Sequence, residues 1–452
     1  MAHLLFSAAN KSSGKTVLSV GIAAALRAKG LTVQAFKKGP DYIDPMWLAK
    51  ATQRNCYNLD FWTQSENEIL ATLSQHSQDT DICIIEGNKG LHDGLAADGS
   101  NSNAALAKLT GSPVILILDT RGTIRGIAPL VLGYQQFDPQ VNITGVILNF
   151  VGGGRHAAKL RTVIERYTDI PIVGVVQRNQ QLELVERYLG LMPSNEDQYA
   201  EEKVNSIANI ITEQVDLDAL GKLASTAKTF AEATLDNPKQ NFNLKIAYAK
   251  DEAFGFYYAD DLDYFSQLGA QLIPFDTLHD SNLPDADALF IGGGFPEKRL
   301  EKLSANTNMK HAIYNAIDNG MPSYAECGGL MYLCNSIKNT EQQAEMVGII
   351  DADCEMHEKP IGRGYTLLEK TSQHLWGNTN KDEIPGHEFH YSKLVQTPLQ
   401  TQYAYQVNRG YGIDGVNDGI VFKNLLACYA HQRNTQQNQW IPNFLNFVKS
   451  HK

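Results

Sequence analysis

Three features of this sequence carry residue types that can do chemistry. The first is ANKSSGKT, residues 9–16. It follows the phosphate-loop pattern G-x-x-x-x-G-K-[ST], with Ala9 in place of the first glycine. Backbone N–H groups at a helix start cradle phosphate oxygens. Gly14 then serves the tight turn, Lys15 meets the β/γ charge, and the Thr16 hydroxyl is a magnesium ligand. Lys11, inside the loop, is either a second phosphate contact or a solvated surface lysine.

The second feature is acidic. KKGPDYIDPMW, residues 37–47, sets Asp41 and Asp44 around a proline-bounded turn, and IIEGNKGLHDG, residues 84–94, ends a strand on Glu86 and carries Asp93 on a glycine-rich loop. Carboxylates beside ATP suit magnesium binding or the positioning of a charged acceptor. Lys37 and Lys38 would offset an acceptor that is anionic. Asp119, at the tip of VILILD, is a supporting acid or a cap, and Asn149, ending GVILNF, is a reader of the adenine edge. Together these residues indicate a magnesium-dependent ATPase or phosphoryl transferase.

The third is YAECGGLMYL, residues 324–333. Strand, sharp turn and helix form a nucleophile elbow, which exposes its turn residue and tolerates only small neighbours. Ala325, Gly328 and Gly329 are such neighbours of Cys327, and the helix start favours a thiolate. His431, in ACYAHQR after a late strand, is the candidate base. No acid to orient it is evident, since Arg433 stands two residues on. GGGFPE, residues 292–297, follows another strand; Gly293 and Gly294, with Gly328, offer N–H groups for an oxyanion hole. HEFH, residues 387–390, spaces its histidines three apart, not the four of a zinc-binding HExxH helix, and reads as a charged pocket wall.

These residues need a scaffold. LLFSAA, a helix from about Lys15 to Lys29, then TVQAFK, ICIIEG, VILILDT, ITGVILNF and PIVGVV read as buried strands alternating with helices, which is a parallel sheet covered on both faces. Residues 193–243 break that pattern, with a polar helical segment and the linker-like LDNPKQNFN. A second series follows: KIAYAKD, QLIPFD, ALFIGGG, MPSYAECGG and IVFKNLLACYAH. The expected organisation is an α/β domain over 1–192, a helical linker over 193–243 and a second α/β domain over 244–452.

The bulk composition narrows the function classes. A chain of 452 residues exceeds one ordinary core. No apolar run reaches the roughly 18 residues of a bilayer span, and the N-terminal stretch lacks a basic leader, so it is expected to be a strand and not a signal peptide. A formal net charge of −11 argues against nucleic acid and anionic membranes as partners. Six cysteines without CxxC spacing indicate neither a zinc site nor a disulfide framework, which fits a reducing cytoplasm.

GKT, KGPDYIDP, the IEG and GLHDG pieces, GVILN, GGGFPE, YAECGGLMYL and GHEFHYS occur in the order seen in cobyrinic acid a,c-diamide synthases, and the chain resembles that glutamine amidotransferase family over almost its full length. The resemblance implies an N-terminal P-loop domain akin to dethiobiotin synthetase and a C-terminal domain like class I glutamine amidotransferases. It implies ATP and Mg2+ activating acetate carboxylates of a corrinoid or related tetrapyrrole as acyl phosphates, with L-glutamine supplying ammonia. Cys327 would be the nucleophile and His431 its base. Thr16, Asp41 and Glu86 would sit near magnesium, and Asp44 and Asp93 would assist the acceptor or the phosphorylated intermediate. Arg433 stands where ordinary class I enzymes carry the acid of the triad, and Tyr188 where the family usually carries histidine. The acceptor therefore stays open between a corrinoid precursor such as cobyrinic acid and sirohaem or nickel sirohydrochlorin; a homodimer also stays open. KGPDYIDP is not the pattern of cobyric acid synthase. From another class, a P-loop ATPase switch or a regulator with an inactive glutaminase domain is the competitor.

Overall fold

Strands that are apolar on both faces are stable only inside a sheet with helices on either side. The computed structural model, which describes residues 1–182, 186–187, 190–230, 233–234, 240–376 and 383–452, builds two such sheets. The chain divides into two units, Met1–Leu235 and Asp236–Lys452. Among the described residues no helix is long and apolar enough to cross a membrane.

The first unit runs β1 (His3–Ala8), α1 (Lys15–Ala28), β2 (Val33–Lys38), α2 (Ile43–Thr52), β3 (Tyr57–Leu59), α3 (Glu66–His76), β4 (Ile82–Glu86), α4 (Asn103–Thr110), β5 (Val114–Asp119), α5 (Ile127–Phe137), β6 (Ile143–Val151), α6 (Gly154–Tyr167) and β7 (Ile172–Gln177). The strands lie in the order β3-β2-β4-β1-β5-β6-β7, and every pairing is parallel. The loops after β1, β2 and β4 leave the same carboxyl edge of adjacent strands, where open α/β sheets bind ligands. The phosphate loop, the Asp41–Asp44 turn and the Glu86–Asp93 loop therefore meet because of strand order, despite lying far apart in the chain.

A pair of short strands, β8 (Glu186–Arg187) and β9 (Gly190–Leu191), precedes α7 (Ala200–Gln214) and α8 (Leu217–Ala224). The two helices lie in the first unit. α7 packs on α1 through its apolar stripe of Val204, Ile207, Ala208 and Ile211, and Asp216 caps α8 by accepting from the Ala219 N–H. The polar character of this segment reflects its solvent face.

The second unit runs β10 (Leu244–Ala249), β11 (Phe254–Phe256), α9 (Ala259–Gln267), β12 (Ala270–Phe275), β13 (Ala288–Ile291), β14 (Gly293–Gly294), α10 (Leu300–Ala305), α11 (Thr307–Asp318), β15 (Ser323–Glu326) and α12 (Gly328–Leu333). It continues with β16 (Cys334–Lys338), β17 (Gln343–Glu345), β18 (Ile350–Met356), β19 (Gly362–Lys370), β20 (Glu383–His390), β21 (Ser392–Val395), β22 (Gln402–Arg409), β23 (Asn417–Phe422), β24 (Leu425–Cys428) and α13 (Trp440–Ser450). The main sheet has the order β12-β10-β13-β15-β24-β23-β22-β19-β20. Pairing is parallel up to β24 and antiparallel beyond it. IVFKNLLACYAH is not one strand: Lys423, at φ 52°, turns it into the hairpin of β23 and β24. One face of the sheet packs Leu289, Ile291, Ala325 and Leu330; the other packs Phe290, Tyr324, Trp440 and Phe444. This is the period-2 alternation of a sheet covered on both sides.

Candidate active site

In the first unit α1 begins directly after Gly14, which sits at φ 82°. A side chain there would meet both a strained backbone and a wall, because a Cβ would fall 2.3 Å from Asn149 Nδ2. That amide donates to the Ser13 carbonyl at 2.9 Å. Asn149 therefore ties β6 to the phosphate loop with one of its two amide N–H groups. Lys15 is buried, and burial, reinforced by the charge of Lys37, pulls its ammonium down to about 8. Lys11 is exposed on the loop.

Thr16, Asp44, Glu86 and Lys37 converge. The Thr16 hydroxyl donates to Glu86 Oε1 at 2.8 Å and reaches Asp44 Oδ2 at 3.2 Å. Lys37 Nζ lies 2.5 Å from Asp44 Oδ2 and 2.9 Å from Glu86 Oε1. Burial pushes the Glu86 carboxyl up, and the Lys37 ammonium opposes that push. Asp41 has a different position: its Oδ1 accepts from the Ile43 and Asp44 N–H groups at 2.8 and 3.1 Å and so starts α2. Burial and the Asp44 charge raise it to about 7. Asp93 is exposed, accepts from the Gly90 N–H at 3.0 Å, and lies within electrostatic reach of Lys15. Lys38 is buried beside Asn88 and lowered to about 8 by that burial. Asp119 pairs with Arg121 at 2.6 Å and holds its own turn. Asn103, which carried no signal in the sequence, is fully buried and donates to the Gly90 carbonyl at 2.8 Å, holding the loop between Glu86 and Asp93.

The donor set fits a magnesium ion. Glu86 Oε2 is buried and unpartnered, beside the Thr16 hydroxyl. Among the described residues no group of three or more His, Cys, Asp or Glu side chains forms a self-sufficient metal cage. One or two carboxylates with a hydroxyl and substrate phosphates are the usual magnesium set.

In the second unit Cys327 caps α12 at φ 49°, ψ −104°, a backbone position costly for a side chain other than glycine. Its N–H donates to the Cys428 carbonyl at 2.7 Å, so the turn is tied to β24. β15 and β24 pair with Glu326 opposite Cys428, and the chain leaving β24 therefore carries His431 past the elbow. The His431 backbone exchanges hydrogen bonds with that of His387, at 2.7 and 3.1 Å. Burial works against its imidazolium, but hydrogen bonds and charge from Cys327 and Glu326 outweigh it and raise the ring to about 10. Burial and the His431 charge lower His387 to about 3. Gly293 abuts the ring: a Cβ there would lie 2.4 Å from His431 Cε1. Gly328 in turn packs against Gly294, so the three expected oxyanion glycines gather beside the thiol–imidazole pair. The other five cysteines are buried, and burial pushes their thiols up.

HEFH lies on strand β20, and its residues have separate tasks. His387 supports His431, Glu388 accepts from the Tyr411 and Gly412 N–H groups at 2.7 and 2.9 Å, and His390 stacks on Tyr429. Arg433 is engaged elsewhere, pairing with Asp260 at 2.6 Å over the Tyr258 ring. A residue of this second site also went unread in the sequence. Glu326, directly before the nucleophile, is buried with its Oε2 3.4 Å from His431 Nδ1. Tyr188 lies outside the described residues.

Known proteins match this arrangement in both units. Residues 6–191 match a CobQ/CobB/MinD/ParA nucleotide binding domain, and residues 245–439 a CobB/CobQ-like glutamine amidotransferase domain. A cobyrinate a,c-diamide synthase of Magnetococcus marinus is 42% identical over 98% of this chain and 97% of its own. Those of Listeria monocytogenes and Archaeoglobus fulgidus are 40% and 38% identical, each over 95% of this chain and over 96% and 93% of their own. The chain belongs to the cobyrinate a,c-diamide synthase family and is a glutamine-dependent carbon–nitrogen ligase of that family.

Proposed function

We propose that this chain uses ATP and glutamine to amidate the a and c acetate carboxylates of a corrinoid precursor such as cobyrinic acid, by way of acyl phosphates. The observation that carries the reading is the strained Cys327 elbow hydrogen-bonded to His431, in a chain that also holds a phosphate loop. The names of the curated relatives support the acceptor.

A carboxylate is a poor electrophile and must first gain a leaving group. A carboxylate oxygen of the acceptor attacks the γ-phosphorus of ATP, and ADP departs. The acyl phosphate formed is then open to ammonia. Lys15 and the loop N–H groups hold the phosphates, with Lys11 as an added contact. Lys37 neutralises carboxylate charge next to the reacting phosphate, and Asp44 and Asp93 position the acceptor. Thr16 and Glu86 would hold a magnesium ion, while Asp41 serves from its place at the start of α2; the ion, when bound, would neutralise phosphate charge.

In the second unit the Cys327 thiolate attacks the side-chain amide carbon of glutamine. Gly293, Gly294 and Gly328 face the developing oxyanion. His431 delivers a proton to the departing nitrogen, ammonia leaves, and water hydrolyses the thioester to glutamate. Ammonia attacks the acyl phosphate and expels inorganic phosphate, leaving an amide.

Incubation with cobyrinic acid, ATP, magnesium and glutamine is expected to give a product about one dalton lighter per converted group, because OH is exchanged for NH2. Two such steps are expected. No mass change with cobyrinic acid, but conversion of another tetrapyrrole, overturns the acceptor; no conversion of any carboxylate overturns the reaction. Cys327→Ser should abolish glutamate release, and undiminished release defeats the nucleophile assignment.

A further inference from the structure

We infer that Glu326 is the carboxylate that orients His431 and stabilises its imidazolium, in place of an acid two residues beyond the histidine. The inference rests on the glutaminase reading above and adds a positioning residue to it.

The geometry starts with strand period. Tyr324 and Glu326 share one face of β15, and Ala325 takes the other. The Tyr324 hydroxyl therefore reaches Glu326 Oε1, at 2.7 Å. The same oxygen accepts the Gln432 N–H at 2.9 Å. Gln432 directly follows His431, so the carboxylate is bonded to the strand carrying the nucleophile and to the segment carrying the base. Its second oxygen, Oε2, then faces His431 Nδ1 at 3.4 Å. That separation is long for a hydrogen bond, as catalytic contacts often are before substrate is seated. With Nδ1 turned to Glu326, Nε2 is left for the Cys327 thiol, which hydrogen-bonds the ring.

The position two residues beyond the histidine cannot do this work. It holds Arg433, whose guanidinium is bound to Asp260. Glu326 meets the requirements of an orienting acid: it is 3% exposed, one carboxylate oxygen is anchored by two hydrogen bonds, and the other faces His431 Nδ1. The titratable groups around the pair are Cys327 and His387 toward the ring, and Tyr324, Tyr405, Tyr257 and Cys428 toward the carboxylate. Burial raises all four of the latter, which keeps them neutral at ordinary pH.

The rival account makes Glu326 a mere buried acceptor for Tyr324 and Gln432. Glu326→Gln keeps the shape and removes the charge. The test compares glutaminase kinetics and the NMR titration of the His431 imidazole, assigned by its loss in His431→Asn. Glu326→Gln should lower the imidazole titration by about one pKa unit or more. It should also lower kcat roughly 100-fold with KM little changed, and Glu326→Asp should fall between it and the wild type. A folded Glu326→Gln protein whose imidazole titrates as in the wild type overturns the inference, even if kcat falls. Should Glu326→Gln not fold, Glu326→Asp decides alone: an unchanged titration overturns, a lowered one supports. Cys327→Ser, run alongside, separates the two levels, because undiminished glutamate release from it defeats the glutaminase reading itself.

Discussion

Lys37 Nζ lies 2.9 Å from Glu86 Oε1, and both side chains are buried. Burial works against the ammonium, but the charges of Asp44, Glu86 and Asp41 outweigh it and hold Lys37 above its ordinary range. A buried pair of this kind is costly to break from one side, because the partner is left charged without water or counter-charge. Lys37→Met should therefore cost about 3–5 kcal/mol of stability in urea unfolding. Lys37→Met combined with Glu86→Gln should cost less than the two single changes added together. A loss for Lys37→Met no larger than that of an ordinary surface substitution would show that the pair contributes little.

Asp41 makes a prediction of stability against pH. Its folded-state pKa is raised from 3.8 to about 7, first by burial and then by Asp44. Between those values the folded chain holds a proton that the unfolded chain has released. The contribution is thus fully present below the lower value and is lost as pH rises through about 7. Asp41→Asn removes the titrating group, so its unfolding free energy should vary less across this window than that of the wild type. Parallel curves for the two proteins would refute the assignment.

Lys15 links protonation to nucleotide binding. Burial and the Lys37 charge bring it down to about 8, so in the free protein above that pH it is largely neutral. ATP phosphates favour the charged form and should draw a proton in on binding. Calorimetry in buffers of different ionisation enthalpy should show proton uptake near pH 9, absent in Lys15→Arg, whose guanidinium stays charged. Lys15→Ala should abolish acceptor-dependent ATP hydrolysis and leave glutaminase activity measurable. Retained ATP turnover in that variant would count against the phosphate-loop role.

The parts of the site legible in the sequence are those that a local backbone rule demands. GKT after an apolar strand requires Gly14 in the left-handed region, and the structure has it there. The small residues around Cys327 announce the strained turn seen at φ 49°. Glu326 obeyed no such rule. An acid next to a nucleophile in the chain gives no sign of reaching a histidine 105 positions away; only the register of β15 against β24, Glu326 opposite Cys428, brings it there. β3 is three residues long, too short for a periodic signal. The polar residues of α7 masked a stripe whose partner, α1, is distant in sequence. Tertiary pairing decided each of these, and a single sequence does not display it.

Asn149 separates two roles for one amide. As a reader of the adenine edge, its loss would change the preference between ATP and GTP. As a fastener of the loop, through the 2.9 Å bond from Nδ2 to the Ser13 carbonyl, its loss would weaken both nucleotides alike. We expect the second, because one amide N–H is already given to the Ser13 carbonyl and the nitrogen is packed against Gly14. Asn149→Ala should then weaken ATP and GTP by a similar factor, about tenfold for one buried hydrogen bond. A variant that loses ATP and keeps GTP would return Asn149 to base recognition. The measurement is a pair of titrations with the two nucleotides on the wild type and the variant.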